Sequence, residues 1–248
     1  MSRRPSLADV TLVAVTSVAL MPTMQALHAS MRQADFGRVL LLSDRPPPTD
    51  DVGIEWRKID RLGSRLDYSR FMLSELRDHI ATSHALCVQW DGFVVNGEAW
   101  DQDFLEHDYI GAVWPHFHDD HNVGNGGFSL RSRRLLDACR DLTFAGDEAE
   151  DVWISRTQRT SLESRGIRFA PEPVARRFSY ERTRPTGREF GFHGAFNLVR
   201  YLPKREATQL FQALEPGMLA RNERWELLRW AILRGRIGLA KVLFERLI

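Results

Sequence analysis

The sequence predicts an α/β fold in which a mainly parallel central sheet is flanked by helices and followed by a helical tail. Short apolar runs rich in β-branched residues alternate with segments whose apolar residues recur at helical spacing. This alternation is typical of parallel sheets with right-handed crossover helices. The 248 residues are 43% hydrophobic and 27% charged, which provides a substantial core and excludes a wholly disordered chain.

Continuous apolar runs predict three buried strands, because a strand covered on both faces does not alternate polar with apolar residues. These runs span residues 10–16, 38–43 and 85–89. Helical spacing predicts helices over 21–32 and 67–80, and a short strand is expected over 54–59.

The second half of the chain is less regular but follows the same logic. The expected elements are strands over 108–113 and 126–131, a helix that begins at Ser132, a helix over 148–163, a turn and strand over 166–170, and basic helices at the end. We expect a catalytic domain over 1–200 and a helical extension over 201–248 that packs on it.

Charge and cysteine usage restrict the partners. The formal net charge is only +1, so no global field favours nucleic acid. Cys87 and Cys139 are too few for a disulfide framework and are interpreted as reduced core thiols.

The first residues loosely resemble a secretory signal. Arg3-Arg4 precedes an apolar stretch over 10–21, but Asp9 and several hydroxyl residues interrupt the pattern. No stretch approaches the roughly 18 apolar residues that a membrane span requires. We therefore interpret this segment as the first strand and expect a cytoplasmic protein.

The carboxyl ends of the predicted strands define one edge of the sheet, where ligands of such folds bind. Thr16, Ser17 and Asp44 follow two of the strands, and Gln89 and Asp91 follow a third. We expect the first three to line a nucleoside pocket. A carboxylate such as Asp91 can hold a divalent cation against phosphate oxygens, although capping of a turn explains it equally well.

Three further patterns contain residues that could carry chemistry. Asn125, Gly126 and Gly127 precede a strand, and glycines there would allow a sugar ring to approach the backbone closely. Glu150 and Asp151 open a helix, where acidic residues stabilise the dipole or supply a general base. His193 lies among glycines and aromatics, outside any periodic pattern, and neutral imidazole is a common ligand for manganese and similar ions.

Together, these patterns resemble a bacterial and fungal family of glycosyltransferases of the GT-A type that is recorded mainly as a domain of unknown function. The similarity runs from about residue 11 to 194, and its most specific string is Gly-Asn-Gly-Gly-Phe-Ser-Leu-Arg-Ser at 124–132. The other matching segments are 14–17, 68–73, 89–96, 108–112 with Trp114-Pro115, and 190–194.

The resemblance implies a GT-A-like fold and a metal-dependent donor site. GT-A enzymes bind metal and the sugar-nucleotide diphosphate through an Asp-x-Asp motif, whose first position is Gln89 here and whose last is Asp91. Asp91 and His193 are then the implied ligands of Mn²⁺ or Mg²⁺. The residues implied to contact the donor are Thr16, Ser17, Asp44, Tyr68, Arg70, Gln89, Trp90 and Asp91.

The same resemblance implies an inverting transfer. Glu150 and Asp151 correspond to the acidic pair of inverting enzymes, with Asp151 as the favoured base. UDP is the default donor nucleotide, and the acceptor is expected to be a glycan or a lipid-linked glycan.

Two other functions stay open. One is a non-catalytic module that binds nucleotide or carbohydrate. The other is a metallo-β-lactamase-like hydrolase, because His116, His118, Asp120 and His121 match an H-x-H-x-D-H pattern that could bind zinc. The same loop is otherwise interpreted as solvated and variable, near the acceptor site.

The tail has its own pattern. Residues 218–248 contain seven basic and three acidic side chains. Apolar faces are supplied by Trp225, Leu228, Ile232, Leu239, Val242 and Leu243. Helices packed on the catalytic domain explain this pattern, and so does peripheral contact with a membrane surface.

Overall fold

The computed structural model describes residues 4–48, 52–146, 148–215 and 217–246. The chain forms two compact units, Met1–His193 and Gly194–Ile248. Arg3, part of the signal-like motif, lies outside the described residues. The domain boundary expected after residue 200 stays a prediction.

The first unit is built on a six-stranded sheet with the order β3-β2-β1-β4-β6-β5. Its strands are β1 Ser6–Thr16, β2 Asp35–Ser43, β3 Glu55–Lys58, β4 His84–Val88, β5 Tyr109–Ile110 and β6 Phe128–Ser132. The first four strands pair in parallel, whereas β6 is antiparallel to both β4 and β5. This confirms the predicted α/β class with a mainly parallel sheet.

The centre of the sheet is buried on both faces, as its continuous apolar strands require. In β1, Leu12 and Ala14 belong to one core cluster, while Val13 and Val15 belong to the cluster on the other side. Cys87 is buried within β4, and burial raises the pKa of its thiol to about 11.

Helices cover these faces. They are α1 Leu20–Met31, α2 Arg65–Ser74, α3 Leu76–His79, α4 Arg133–Arg140, α5 Glu150–Val152, α6 Arg159–Ser164 and α7 Glu172–Phe178. A π-turn, Trp153–Thr157, joins α5 to α6, and two 3₁₀ turns lie at Gly97–Ala99 and Gln102–Glu106. A second, two-stranded parallel sheet contains β7 Ser179–Tyr180 and β8 Gly191–Phe192.

Two of the expected strands differ from the sequence prediction. The strand expected over 108–113 is only β5, because the chain after Ile110 leaves the sheet to pair with residues 122–124. Trp114 N–H donates to the Asn122 carbonyl at 2.7 Å there. The strand expected over 166–170 contributes a single bridge, from Phe169 to Tyr109.

The second unit is helical, as predicted. It contains α8 Ala195–Leu198, α9 Lys204–Ala213, α10 Arg221–Leu233 and α11 Ile237–Glu245. Helices α10 and α11 are joined by a turn at 234–236. They form an antiparallel hairpin, since Arg224 near the start of α10 donates to the Arg246 carbonyl just after α11. Within the described ranges, no helix is long and apolar enough to cross a bilayer.

Candidate functional site

The strand directions bring two loops to one edge of the sheet. β4 ends at this edge, and the antiparallel β6 begins there, so that Val88 lies opposite Phe128. The residues just after β4 therefore meet the residues just before β6. Gln89 N–H donates to the Gly127 carbonyl at 3.0 Å, which joins the two loops directly.

His193 follows β8 directly and lies beside both of these loops. A side chain at Gly92 would have its Cβ only 2.7 Å from the Phe192 carbonyl oxygen, so a glycine is needed for this close approach. A Cβ at Gly127 would overlap the imidazole of His193 itself.

Gly126 is confined in a similar way. Its Cβ would overlap Glu150 and would lie 2.9 Å from Arg131 Nη2. Both glycines are buried, so the space beside each α-carbon accommodates the protein's own side chains. Contact between these glycines and a sugar stays a prediction.

Asn125 completes this loop in a rare backbone conformation. Its φ of 71° lies in the left-handed region, which asparagine tolerates better than most residues. The Asn125 Oδ1 atom accepts from Phe128 N–H at 3.3 Å, while Nδ2 lies 3.1 Å from His193 Nδ1. The turn thus places the amide against the imidazole.

The imidazole lies between two carboxylates. His193 Nε2 is 3.3 Å from Asp91 Oδ1, and Nδ1 is 3.6 Å from Glu181 Oε1. Burial by itself lowers the pKa of His193, but the two carboxylates raise it well above 6.5. The side chains of Asp91 and His193 keep exposed fractions of 12% and 16%, so the cluster reaches solvent.

Glu181 is the functional candidate that sequence reasoning missed. Burial raises the pKa of its carboxyl. His193 and Asn125 lower that pKa by a larger amount, so the net shift is downward. The available signal is an acidic residue directly after Phe178-Ser179-Tyr180, a short segment with two aromatic residues. That signal is weak, because the pairing of β7 with β8 was not predicted.

The chemistry of these donors suits a hard divalent cation. Asp91 Oδ1 pairs with His193 Nε2 at 3.3 Å, and Gln89 Oε1 lies 3.3 Å from the same nitrogen. Mg²⁺ and Mn²⁺ are commonly held by one or two carboxylates, with water and phosphate in the remaining positions. Across the part of the chain that is described, no group of three or more His, Cys, Asp or Glu could hold a metal by itself.

The adjacent carboxylates of α5 do different things. Glu150 Oε1 accepts from Arg131 Nη2 at 2.9 Å, and the two side chains are 6% and 0% exposed. Burial and the neighbouring Asp151 raise the pKa of Glu150, although Arg131 opposes the shift. Asp151 instead lies half-buried, and its Oδ2 accepts from Gly126 N–H at 2.9 Å.

The expected nucleoside contacts have mixed roles. Thr16 contacts the backbone of Val18, and Ser17 Oγ accepts from Leu62 N–H at 2.9 Å. Both hydroxyls therefore already bind the protein's own backbone. Asp44 Oδ1, in contrast, is buried without a hydrogen-bond partner.

The remaining donor-site candidates lie around β4 and α2. Tyr68 accepts a hydrogen bond from Gln89 Nε2 at 3.0 Å, which places its hydroxyl at the sheet edge. Trp90 is half-buried beside them. Arg70 is exposed and lies 4.0 Å from Asp67.

The histidine-rich loop does not assemble a metal centre. His116, His118 and Asp120 are exposed, and His121 is half-buried. Among the described residues, no group of three or more His, Cys, Asp or Glu side chains there could hold a metal ion. The loop is anchored instead by Arg156, which donates to both oxygens of the adjacent Asp119 carboxylate at 2.6 and 2.9 Å.

Comparison with known proteins places this site within a family. The model of a family described as a protein of unknown function, DUF5672, matches residues 53–193, more than half of the chain. The chain belongs to the DUF5672 family. The matched segment contains Asp91, Asp151, Glu181 and His193. No curated protein matches this DUF5672 member.

Two solved structures align with it at low sequence identity. An active-site mutant of LgtC aligns with a TM-score of 0.44 and 11% identity, over 86% of this chain and 99% of that one. The apo-form glycosyltransferase GlyE of Streptococcus pneumoniae TIGR4 aligns with a TM-score of 0.35 and 16% identity. That alignment covers 62% of the DUF5672 member and 37% of GlyE.

Proposed function

We propose that this protein is a nucleotide-sugar-dependent glycosyltransferase that uses a UDP-sugar. The observation that carries the proposal is the loop at 125–127, which lies between two sets of functional groups. On one side, Gly127 adjoins His193 and its partner Asp91. On the other side, Gly126 N–H binds the Asp151 carboxylate. The loop at 125–127 would thus connect the donor site to the catalytic base.

Asp91 Oδ1 and His193 Nε2 would hold the metal, Mn²⁺ or Mg²⁺. When bound, the ion would supply positive charge against the diphosphate leaving group. Asp44 would face the nucleoside, since its unpartnered oxygen can accept a hydrogen bond from a ligand hydroxyl or N–H.

Asp151 would act on the acceptor, a glycan or a lipid-linked glycan. Its carboxylate takes the proton of the acceptor hydroxyl while the acceptor oxygen bonds to the anomeric carbon. The bond from that carbon to the diphosphate oxygen breaks, the nucleoside diphosphate leaves, and the configuration inverts. Backbone N–H groups of Gly126 and Val152, at 2.9 and 2.8 Å, hold the carboxylate in one orientation.

A non-catalytic binding module is the second candidate. It is favoured by Gln89 at the first position of the Asp-x-Asp motif. It is also favoured by the pairing of His193 with Asp91 and Glu181, which raises the pKa of the imidazole. Such a module would bind nucleotide or carbohydrate without releasing UDP from a sugar nucleotide.

A thermal-shift experiment with UDP and Mn²⁺ tests the donor site. Ligand at a hundred times its Kd stabilises the native state by about 2.7 kcal/mol. For a chain of this size that corresponds to roughly 5–11 °C in Tm. Asp91→Asn should abolish the manganese-dependent part of the shift. Asp9→Asn, an exposed carboxylate at the opposite end of β1, is the matched control.

Three outcomes of this experiment are informative. An unchanged shift in Asp91→Asn would show that the donor binds elsewhere. Binding of UDP by the wild type without manganese-dependent hydrolysis of any UDP-sugar would favour the non-catalytic module. Hydrolysis that is lost in Asp91→Asn and kept in Asp9→Asn supports the transferase.

A further inference from the structure

The turn of the α10–α11 hairpin exposes apolar side chains to water. Ile232, Leu233 and Ile237 are 62%, 80% and 80% exposed. They lie on either side of the turn at 234–236, so they form one apolar tip rather than scattered surface residues. Exposed apolar clusters with a polar rim mark surfaces that bind a membrane or another molecule.

The charges of the hairpin are divided along its length. Between residues 227 and 244 the chain has four basic side chains and no acidic one. The basic ones are Arg229, Arg234, Arg236 and Lys241. The acidic side chains of the hairpin, Glu223, Glu226 and Glu245, lie at the end away from the turn.

An aromatic ring lies behind the tip. Trp230 is half-buried, and the guanidinium groups of Arg234 and Arg236 lie 5.7 and 5.1 Å from its ring centroid. Trp and Arg are both suited to the headgroup layer, since each has an apolar part and a polar end. The cation–π contacts hold the two arginines beside the apolar tip.

The neighbouring helix adds positive charge at the same end. Lys204 and Arg205, at the start of α9, line a groove of about 400 Å³ together with Arg236 and Ile237. Both are exposed. The apolar tip is thus bordered by cations from two helices, which is complementary to an anionic surface.

We propose that this tip, residues 229–241, binds an anionic membrane surface. Ile232, Leu233 and Ile237 would insert below the phosphates, while the arginines would contact the headgroups. The combination of apolar insertion with a cluster of basic residues is what stable peripheral binding requires. A purely apolar partner surface would leave the basic border unpaired.

Co-sedimentation of the full chain with lipid vesicles tests this proposal. We expect binding to vesicles that contain phosphatidylglycerol, weak binding to pure phosphatidylcholine vesicles, and loss of binding at high salt. The double variant Ile232→Ser with Leu233→Ser should bind at least about tenfold more weakly, because two inserted side chains are lost. Arg234→Gln should weaken binding to the anionic vesicles only.

Phe244→Ser is the matched control. Phe244 is 52% exposed but lies at the far end of α11, beside Glu245, so its replacement should leave vesicle binding unchanged. Circular dichroism of each variant checks that the helices are retained. Equal binding to both kinds of vesicle, no binding to either, or equal loss in Phe244→Ser would overturn the proposal. So would a tip-dependent dimer seen by light scattering without lipid, because the apolar tip would then serve a second copy.

Discussion

Replacing the two carboxylates of α5 one at a time separates structure from chemistry. Glu150→Gln keeps the size of the side chain and removes the negative charge beside the fully buried Arg131. Breaking a buried ion pair from one side costs about 3–5 kcal/mol, because the remaining charge is left without compensation. With roughly 2–4 °C per kcal/mol for a chain of this size, Tm should fall by about 6–20 °C.

Asp151→Asn should have the opposite profile. Its carboxylate is half-buried and binds two backbone N–H groups, and one of these can still donate to the amide oxygen. We expect Tm to change by less than about 3 °C, while turnover falls by roughly 10²–10⁴ through loss of the base. UDP binding should be retained.

The assay pairs a thermal melt with turnover at saturating donor. A third variant, Arg131→Met with Glu150→Met, removes both buried charges and should recover part of the stability that Glu150→Gln loses. Wild-type stability with abolished turnover in Glu150→Gln would make Glu150 the base. Near-normal transfer in Asp151→Asn, or a product of retained anomeric configuration seen by NMR, would refute the mechanism.

Three smaller predictions concern the sheet edge and the histidine-rich loop. Gly127→Ala should displace His193 and remove the manganese-dependent increase in Tm that UDP causes. Gly63→Ala is the control: its Cβ would have its nearest neighbour at 3.5 Å, so it should behave like the wild type in the same thermal assay. Replacing the three loop histidines with Ala should spare donor hydrolysis; stoichiometric zinc, measured by atomic emission and lost together with activity, would instead support the hydrolase. The hydrogen bond from Arg156 lowers the pKa of Asp119 from 3.8 to about 2, so folding favours the ionised carboxylate. The stability that this ion pair contributes is therefore lost as the pH falls through about 2. Carboxyl ¹³C titration should show this midpoint, and Arg156→Gln should return it towards 3.8; equal midpoints would show that the ion pair does not form in solution.

The fold class could be read from local patterns because burial on both faces of a parallel strand favours apolar residues at successive positions. The runs at 10–16, 38–43 and 85–89 correspond to β1, β2 and β4 for this reason. The helix expected over 67–80 is interrupted at Glu75, which separates α2 from α3. Hydrophobic spacing was preserved across that break, so the pattern could not reveal it.

The sheet edge was also predictable in part. Parallel strands all end on one side, so Asp91 after β4 shares a sheet edge with Thr16 at the end of β1 and Asp44 after β2. His193 stands out in the sequence because an imidazole among glycines and aromatics fits no periodic face. The sequence marks Gly126 and Gly127 as sites of close approach, but it does not show that the side chains of Glu150 and His193 occupy the space beside them.

By itself, the sequence determined the α/β class, the main strands and helices, and the residues at the ends of the parallel strands. Tertiary structure alone decided that β6 runs antiparallel, that Glu181 faces His193, and that Glu150 pairs with Arg131. Periodicity records which side of an element is buried, and that is a local property. Strand direction and the partner of a buried charge depend on contacts between segments far apart in the chain, which no local pattern encodes.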